Sequence, residues 1–391
     1  MFGIGTYIKS FYRKDIRERR NEEKYFINFF KEQRAIQDTY DLTSIQKAKK
    51  LVVFVIPPEI SVYGGMMSFF SLCEKSRDVL GDSALTLIAT CPYMWKGQLS
   101  TFCKNDNFPN NEKIYRFEQL TKNAENVSEM ILHIPEIYAK QFCSLCTKQD
   151  IKFIRSVPNL HINILLQNID LMPSLGELTE LYSLSKNITL TAAHEKYATQ
   201  ETSNKWKAPL KHISAIIDIT KYKEIPFYKK EKIIVFSPDE HKDKVVIRRF
   251  IEEELPDYKI VVVKNMKFND YMDLITRAFF TITFGEAFDG YFIQPYGVGS
   301  MGFSVYNNRF FPDKSYLEWK TVYSSYLDMA KKLKNDVQYW KNHPHEYYKF
   351  IGMAKKKFDS IYVNDSVKEN LKLFYNNKYD YHPKTITLSS F

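Results

Sequence analysis

TITFGEAFDGYFIQPYGVGSMGFSVYN, residues 281–307, opens as a short apolar run that ends in Gly285-Glu286. A glycine-broken loop follows, and Gln294-Pro295 then opens a second segment punctuated by Gly297, Gly299 and Gly302. Strand, acidic residue, tight loop and helix start, in that order, put a carboxylate and free backbone N–H groups at the carboxyl end of a buried strand. Open α/β sheets bind anionic ligands at that position. The plainer reading of the same window is an ordinary strand–turn–helix of an α/β core, so its surroundings have to decide.

On either side of this window, strand-like and helix-like runs alternate along most of the chain. The first half begins after Lys50 with LVVFVIPPEI, continues through the loop SVYGG (61–65), and enters the helical pattern MMSFFSLCEKSRDVL. Further strand-like runs are ALTLIAT (84–90), EMILHIP (129–135), HINILLQ (161–167) and NITLTAA (187–193). Residues 208–231, APLKHISAIIDITKYKEIPFYKKE, are rich in Pro and Lys and read as an interdomain linker. A second series comes next: KIIVFSP (232–238), the helical DKVVIRRFIEEEL (243–255), YKIVVVK (258–264), the helical NDYMDLITRAF (269–279) and FTITFG (280–285). Strands alternating with helices at this spacing predict parallel sheets, here two in tandem.

Length and composition agree. At 391 residues the chain exceeds one typical core, and two domains of roughly 150–200 residues are expected. Hydrophobic residues make up 44% and aromatics 15%, enough to fill large cores and to exclude a disordered chain. No apolar run approaches the ~18–20 residues of a membrane span. The start, MFGIGTYIKSFYRKDIRERR, has no apolar core followed by a small-residue cleavage site and does not read as a secretory signal. Five cysteines, an odd number in a long chain, suggest reduced thiols in a cytoplasm. Cys143 and Cys146 have the spacing of half a zinc site but lack a second pair.

The net charge of +10 favours anionic partners. Residues 9–34 and 330–358 mix Lys and Arg with aromatics at helical spacing. The first could lie on an anionic bilayer through Phe11, Tyr12, Phe26, Phe29 and Phe30, or pack on its own domain with a solvated charged face. No nucleic-acid module signature is present, and nucleic acid is not expected as a partner.

The order of these features resembles the GT-B glycosyltransferases, in particular the retaining group with a Glu-x7-Glu motif, over about residues 50–375. Gly64-Gly65 sits where that family has a glycine loop beneath the donor phosphates, and ISAIIDITKY (213–222) where its chain enters the second domain. FSPDEHKDK (236–244) takes the place of the basic diphosphate loop, and residues 282–305 line up with the family's donor-sugar and ribose motif. The last helices look like those that cross back onto the first domain. The resemblance implies an α/β protein with two Rossmann-like α/β/α domains facing across a cleft. The expected division is an amphipathic helical extension (1–49), an acceptor domain (50–215), a nucleotide-sugar donor domain (216–365), and a tail returning to the first domain (366–391).

It also implies a function: transfer of a sugar from a nucleotide diphosphate donor to a glycan or lipid-linked acceptor, as in bacterial surface polysaccharide assembly. The enzyme would be cytoplasmic, either free or resting on the inner membrane face, and independent of metal or other cofactor. The leaving diphosphate gains negative charge as the glycosidic bond breaks, so cations and aligned N–H groups lower the barrier. Lys242, Lys244, Gly64 and Gly65 suit that task. Glu286 would bind donor-sugar hydroxyls, aided by loop N–H groups at Phe288, Asp289 and Gly290, with Tyr291 beside them. His133, at the end of EMILHIP, lies where the family often has a histidine near the donor sugar. Glu59, Tyr63, Asn168, Asp170 and the run His194-Glu195-Lys196 also follow apolar runs. Departures are clear: the second Glu is Gln294, the family's Gly after the first Glu is Ala287, and the basic loop lacks its arginine. Two further readings stay open, a binding subunit that kept the lobes without the chemistry, and an inverting enzyme with a base in the first domain.

Overall fold

A computed structural model of the protein describes residues 16–58, 64–95, 97–103, 112–216, 219, 221–264, 266–362 and 366–384. They form two compact units, unit 1 running to residue 215 and resuming at 366, unit 2 lying between.

Unit 1 is a seven-stranded sheet built from β1 (Lys50–Ile56), β2 (Leu85–Thr90), β3 (Ile114–Arg116), β4 (Glu129–Pro135), β5 (Asn159–Leu166), β6 (Asn187–Ala192) and β7 (Leu210–His212). The spatial order is β3-β2-β1-β4-β5-β6-β7, and every pair is parallel. Such strands are covered on both faces, which is why they read as continuous apolar runs. One face packs Leu51, Val53 and Val55 with Leu132, Ile134, Ile162 and Ile164 in a single large core. Each such side chain contributes roughly 1.5–3 kcal/mol relative to exposure. The other face is polar in one row: the register Phe54↔His133↔Asn163↔Thr189 crosses β1, β4, β5 and β6.

Two helices of unit 1 bear on the expected extension and on the expected glycine loop. The first, α1 (Ile16–Asp38), lies in the expected amphipathic segment and groups with unit 1. Gln37, wholly buried, donates to the carbonyls of Phe102 and Ile114 and accepts from Thr101 Oγ1. Arg116 pairs with Asp38, and Arg34 with Glu118, so the last turns of α1 are clamped to the β3 region. Phe11 and Tyr12 lie outside the described residues. The second, α2 (Gly64–Leu80), leaves the carboxyl end of β1 and buries Met66, Phe69, Phe70 and Cys73.

Unit 2 holds five parallel strands: β8 (Glu231–Phe236), β9 (Lys259–Val262), β10 (Ala278–Ile282), β11 (Met301–Val305) and β12 (Val322–Tyr323), in the order β9-β8-β10-β11-β12. Between them run α3 (Lys244–Glu254), α4 (Phe268–Arg277) and α5 (Gly290–Gly297). Pro295 lies inside α5 and cannot donate to the carbonyl of Tyr291 four residues back. Thr281 Oγ1 in β10 donates to that carbonyl instead, at 2.8 Å. Gly302 lets α5 lie against β11, because a Cβ there would stand 2.0 Å from the Phe292 carbonyl oxygen. Two long helices, α6 (Tyr326–Asn342) and α7 (Pro344–Tyr362), complete the unit, Pro344 at the first position of α7, where no N–H is needed.

The chain then returns to unit 1 as α8 (Ser366–Tyr375), which packs on α2. Beyond it, the backbone of Tyr381 pairs with Leu210, and Asp380 accepts from Lys211 Nζ at 2.6 Å. The terminal segment thereby covers the edge strand β7, whose backbone groups would otherwise be open to pairing with another chain.

Candidate functional site

Both sheets are doubly wound. In unit 1 the strand order reverses between β1 and β4, and in unit 2 between β8 and β10. Crevices outside the carboxyl ends of the strands at such switch points are where open α/β sheets bind ligands.

At the unit 2 switch point, β8 and β10 are tied beyond their ends. The Ser237 N–H donates to the Ile282 carbonyl at 3.0 Å, and Ser237 Oγ accepts from the Phe284 N–H at 3.1 Å. The two following loops touch through Asp239 and Gly285, since a Cβ on Gly285 would lie 2.7 Å from Asp239 Cγ. One carboxylate oxygen of Asp239 is buried with no hydrogen-bond partner.

After Gly285 the chain makes a three-residue turn. The N–H of Phe288 donates to the Glu286 carbonyl at 2.8 Å, and Ala287 between them has φ +71°. That geometry is rare and strained for a residue with a Cβ. It accounts physically for the glycine that the resembling family keeps there. Ser304 Oγ in β11 holds the turn by donating to the Ala287 carbonyl.

Asp289 follows as the N-cap of α5. Its carboxylate accepts from the Phe292 N–H at 3.0 Å and from Thr283 Oγ1 at 2.7 Å. Burial raises its pKa well above the usual carboxylate range, and the charges of Asp239 and Glu286 raise it further against the two hydrogen bonds. Three carboxylates therefore converge on one loop cluster. Around them stand Tyr291, Tyr326 and Tyr362, each with its hydroxyl pKa raised, by burial first and then by neighbouring carboxylates that include Asp289. These hydroxyls stay protonated at neutral pH, and that of Tyr326 donates to the Phe284 carbonyl at 3.4 Å. Among the described residues no group of three or more His, Cys, Asp or Glu is arranged to hold a metal ion.

The remaining sequence candidates occupy different surroundings. Lys244 Nζ donates to the carbonyls of Ser237 and Asp239, at 2.7 and 2.8 Å, so two of its three hydrogens close the loop it springs from. Burial lowers its pKa, opposed by Glu240 and Asp239. Lys242 is exposed on the same loop. Gln294 is buried on α5, its amide lying back over Gly290 at the amino end of the helix, 3.1 Å from where a Cβ would be. Phe288 does not offer the free N–H expected of it, because Glu286 takes that hydrogen bond and its ring is buried against Phe292, Phe311 and Tyr316.

Gly64, Gly65 and His133 belong to unit 1. The glycines form the first turn of α2, the next helix after β1 in the chain, and the Gly65 carbonyl accepts from Gln167 Nε2 at 3.1 Å. His133 is 2% exposed and stacks on Phe54, ring centroids 4.3 Å apart. Nδ1 meets Asn163 at 3.0 Å and Nε2 meets the Tyr375 hydroxyl of α8 at 3.2 Å. Burial lowers its pKa to about 3, so the ring is neutral. This packing makes His133 a member of the seam between the sheet and α8, with both ring nitrogens engaged. Glu59 and Tyr63 lie outside the described residues. Asp239, Thr283, Tyr326 and Tyr362 were not legible as site residues. Thr283 and Asp239 follow strand ends, the one available signal, whereas the two tyrosines come from distant helices.

No family model matches the sequence, and no curated protein matches it. Solved structures do resemble the fold. HepE of Anabaena, determined with UDP and glucose, covers 83% of this chain and 98% of its own at 9% identity, with a TM-score of 0.50. Sucrose-phosphate synthase of Thermosynechococcus elongatus covers 84% and 98% at 9% identity, with a TM-score of 0.48. A glycosyltransferase of Rickettsia africae covers 84% and 97% at 11% identity, with a TM-score of 0.44. The fold class is that of GT-B proteins, with two Rossmann-like α/β units.

Proposed function

We propose that the protein is a glycosyltransferase whose nucleotide-sugar donor binds at the unit 2 switch point. The observation that carries this reading is the convergence of Glu286, Asp239 and Asp289 beside the amino end of α5, on loops held by Ser237 and by a strained turn. Carboxylates are the acceptors that sugar hydroxyls require, and neighbouring tyrosine hydroxyls supply donors. Rigid placement of such groups is what differential binding of a transition state demands. Glu286 orients the sugar, Gln294 accepts from a ribose hydroxyl through its amide oxygen, and Lys242 meets the diphosphate. Unit 1 takes a glycan or lipid-linked acceptor, with the N–H groups of Gly64 and Gly65 at the start of α2 available to an anionic group. The reaction is retaining, needs no metal, and serves surface polysaccharide assembly on the cytoplasmic side, against the inner membrane face. Among the described residues no helix is long and apolar enough to cross a membrane.

A thermal-shift screen with UDP-, GDP-, dTDP- and CMP-sugars identifies the donor, because a ligand of the native state raises apparent stability. With that donor, Glu286→Ala should keep the melting temperature and lower transfer by ~10²-fold or more. Transfer within a factor of about three of the parent removes Glu286 from the site.

A second reading, a sugar-nucleotide-binding subunit without transfer, is favoured by one observation. Lys244 is committed to loop carbonyls, which leaves the carboxylate cluster with little cationic counterweight for a departing diphosphate. Donor binding without transfer or donor hydrolysis would select it.

A further inference from the structure

On the surface of unit 2 a groove of about 720 Å³ runs along α7 beside the short helical turn Lys314–Glu318. Trp319, half-buried, and Tyr348, exposed, line it with Lys349, Lys356 and Lys357 over the buried Tyr316, and no Asp or Glu lines it. Among the described residues none of the three lysines is in an ion pair, although Asp313 lies within electrostatic reach of Lys357. Tyr348 is 51% exposed and Met353 45%.

Gly352 lies in the same wall, in the middle of α7. A glycine inside a helix costs about 0.5–1 kcal/mol relative to alanine. Such a cost normally marks a close approach of some other group, as at Gly302. At Gly352 a Cβ would meet nothing within 4 Å. No neighbour within the protein calls for the missing side chain, and what it leaves is room in the groove.

We propose that this groove binds an anionic glycan chain. Aromatic faces pack against the C–H faces of sugar rings, and lysines set along a helix pair with acidic substituents spaced along a polymer. The lining from Tyr348 to Ser360 extends over ~18 Å of helix, enough for several sugar units. The charge complementarity is one-sided: the walls carry cations and no anions. A bilayer surface would instead need apolar groups standing out from a convex face, and here they line a concavity.

The test uses the full chain at low ionic strength, with hyaluronan, heparin and a phosphomannan as carboxylate, sulfate and phosphate probes, and dextran as the neutral control. At least one anionic glycan should bind about tenfold or more tightly than dextran. The triple variant Lys349→Ala, Lys356→Ala, Lys357→Ala should weaken that binding about tenfold or more. Gly352→Leu should weaken it comparably by filling the groove, while the melting temperature stays level or rises. Neither variant should alter the thermal shift produced by the nucleotide-sugar, which separates failure here from failure of the donor-site reading. The proposal is overturned if no anionic glycan binds better than dextran, or if binding survives Gly352→Leu. It is equally overturned if polyglutamate matches the best glycan, or if anionic vesicles or a single-stranded oligonucleotide are the tighter ligands lost in the triple variant.

Discussion

The Asp239 carboxyl group occupies the space that a side chain on Gly285 would need, its Cγ 2.7 Å from the position of that absent Cβ. The loops after β8 and β10 are thus fitted to each other at the sheet's switch point, and the fit sets where the carboxylates stand. Gly285→Ala should push Asp239 aside, lowering stability by about 1–3 kcal/mol. In an Asp239→Gly background the same change should be close to neutral. Denaturant unfolding of the four proteins of this cycle gives the coupling energy, and independent, additive effects would show that the two loops do not constrain each other.

Asp289 should make stability depend on pH in an unusual direction. Its folded-state pKa is raised, so between its ordinary value and the raised one the native state binds more protons than the unfolded state. Its contribution is present below pH ~4 and is lost as pH climbs into the neutral range. Asparagine is also a good helix N-cap, so Asp289→Asn should keep the cap and flatten this dependence, gaining roughly 1 kcal/mol or more over the parent at neutral pH. Parallel melting curves from acid to neutral pH check the sign. An unchanged slope would mean that the carboxyl is not the group responsible.

The two lysines of the basic loop should separate cleanly. Lys244→Met leaves the carbonyls of Ser237 and Asp239 without their donor, and a loss of about 1–3 kcal/mol in stability is expected. Lys242→Ala removes an exposed charge and should shift stability by no more than ~0.5 kcal/mol, while nucleoside diphosphate affinity falls about tenfold. Calorimetry showing full affinity in Lys242→Ala would leave that lysine without a role at the phosphates.

Gln294 lies one helical turn after Gly290 in α5, and its amide reaches back over Gly290 at the amino end, where the helix dipole favours negative charge. Gln294→Glu should therefore leave nucleotide affinity level or raise it, since a charged acceptor makes the stronger hydrogen bond to a ribose hydroxyl. Stability measured alongside gives the alternative. A drop of several kcal/mol without tighter binding is the signature of a new carboxylate desolvated among Asp289, Glu286 and Asp239.

What the amino-acid order determined by itself is the local structure. Short apolar runs such as LVVFVI and FTITF read as buried strands, alternation with helical patterns favours a parallel sheet, and Gly285-Glu286 marks the end of one beside a helix start. Glu286 could be singled out because its signal lies within a few residues of itself. Which distant groups share its surroundings depends on how the segments pack. Asp239 arrives from the neighbouring strand end, Tyr326 and Tyr362 from helices α6 and α7, and none of these pairings leaves a local trace. The same limit holds for His133: its place at a strand end is local, whereas its contact with Tyr375 of α8, 242 residues away, is not. Backbone preference and hydropathy act over a few residues and can be read in order, whereas desolvation and charge coupling act through space between segments that only the fold brings together.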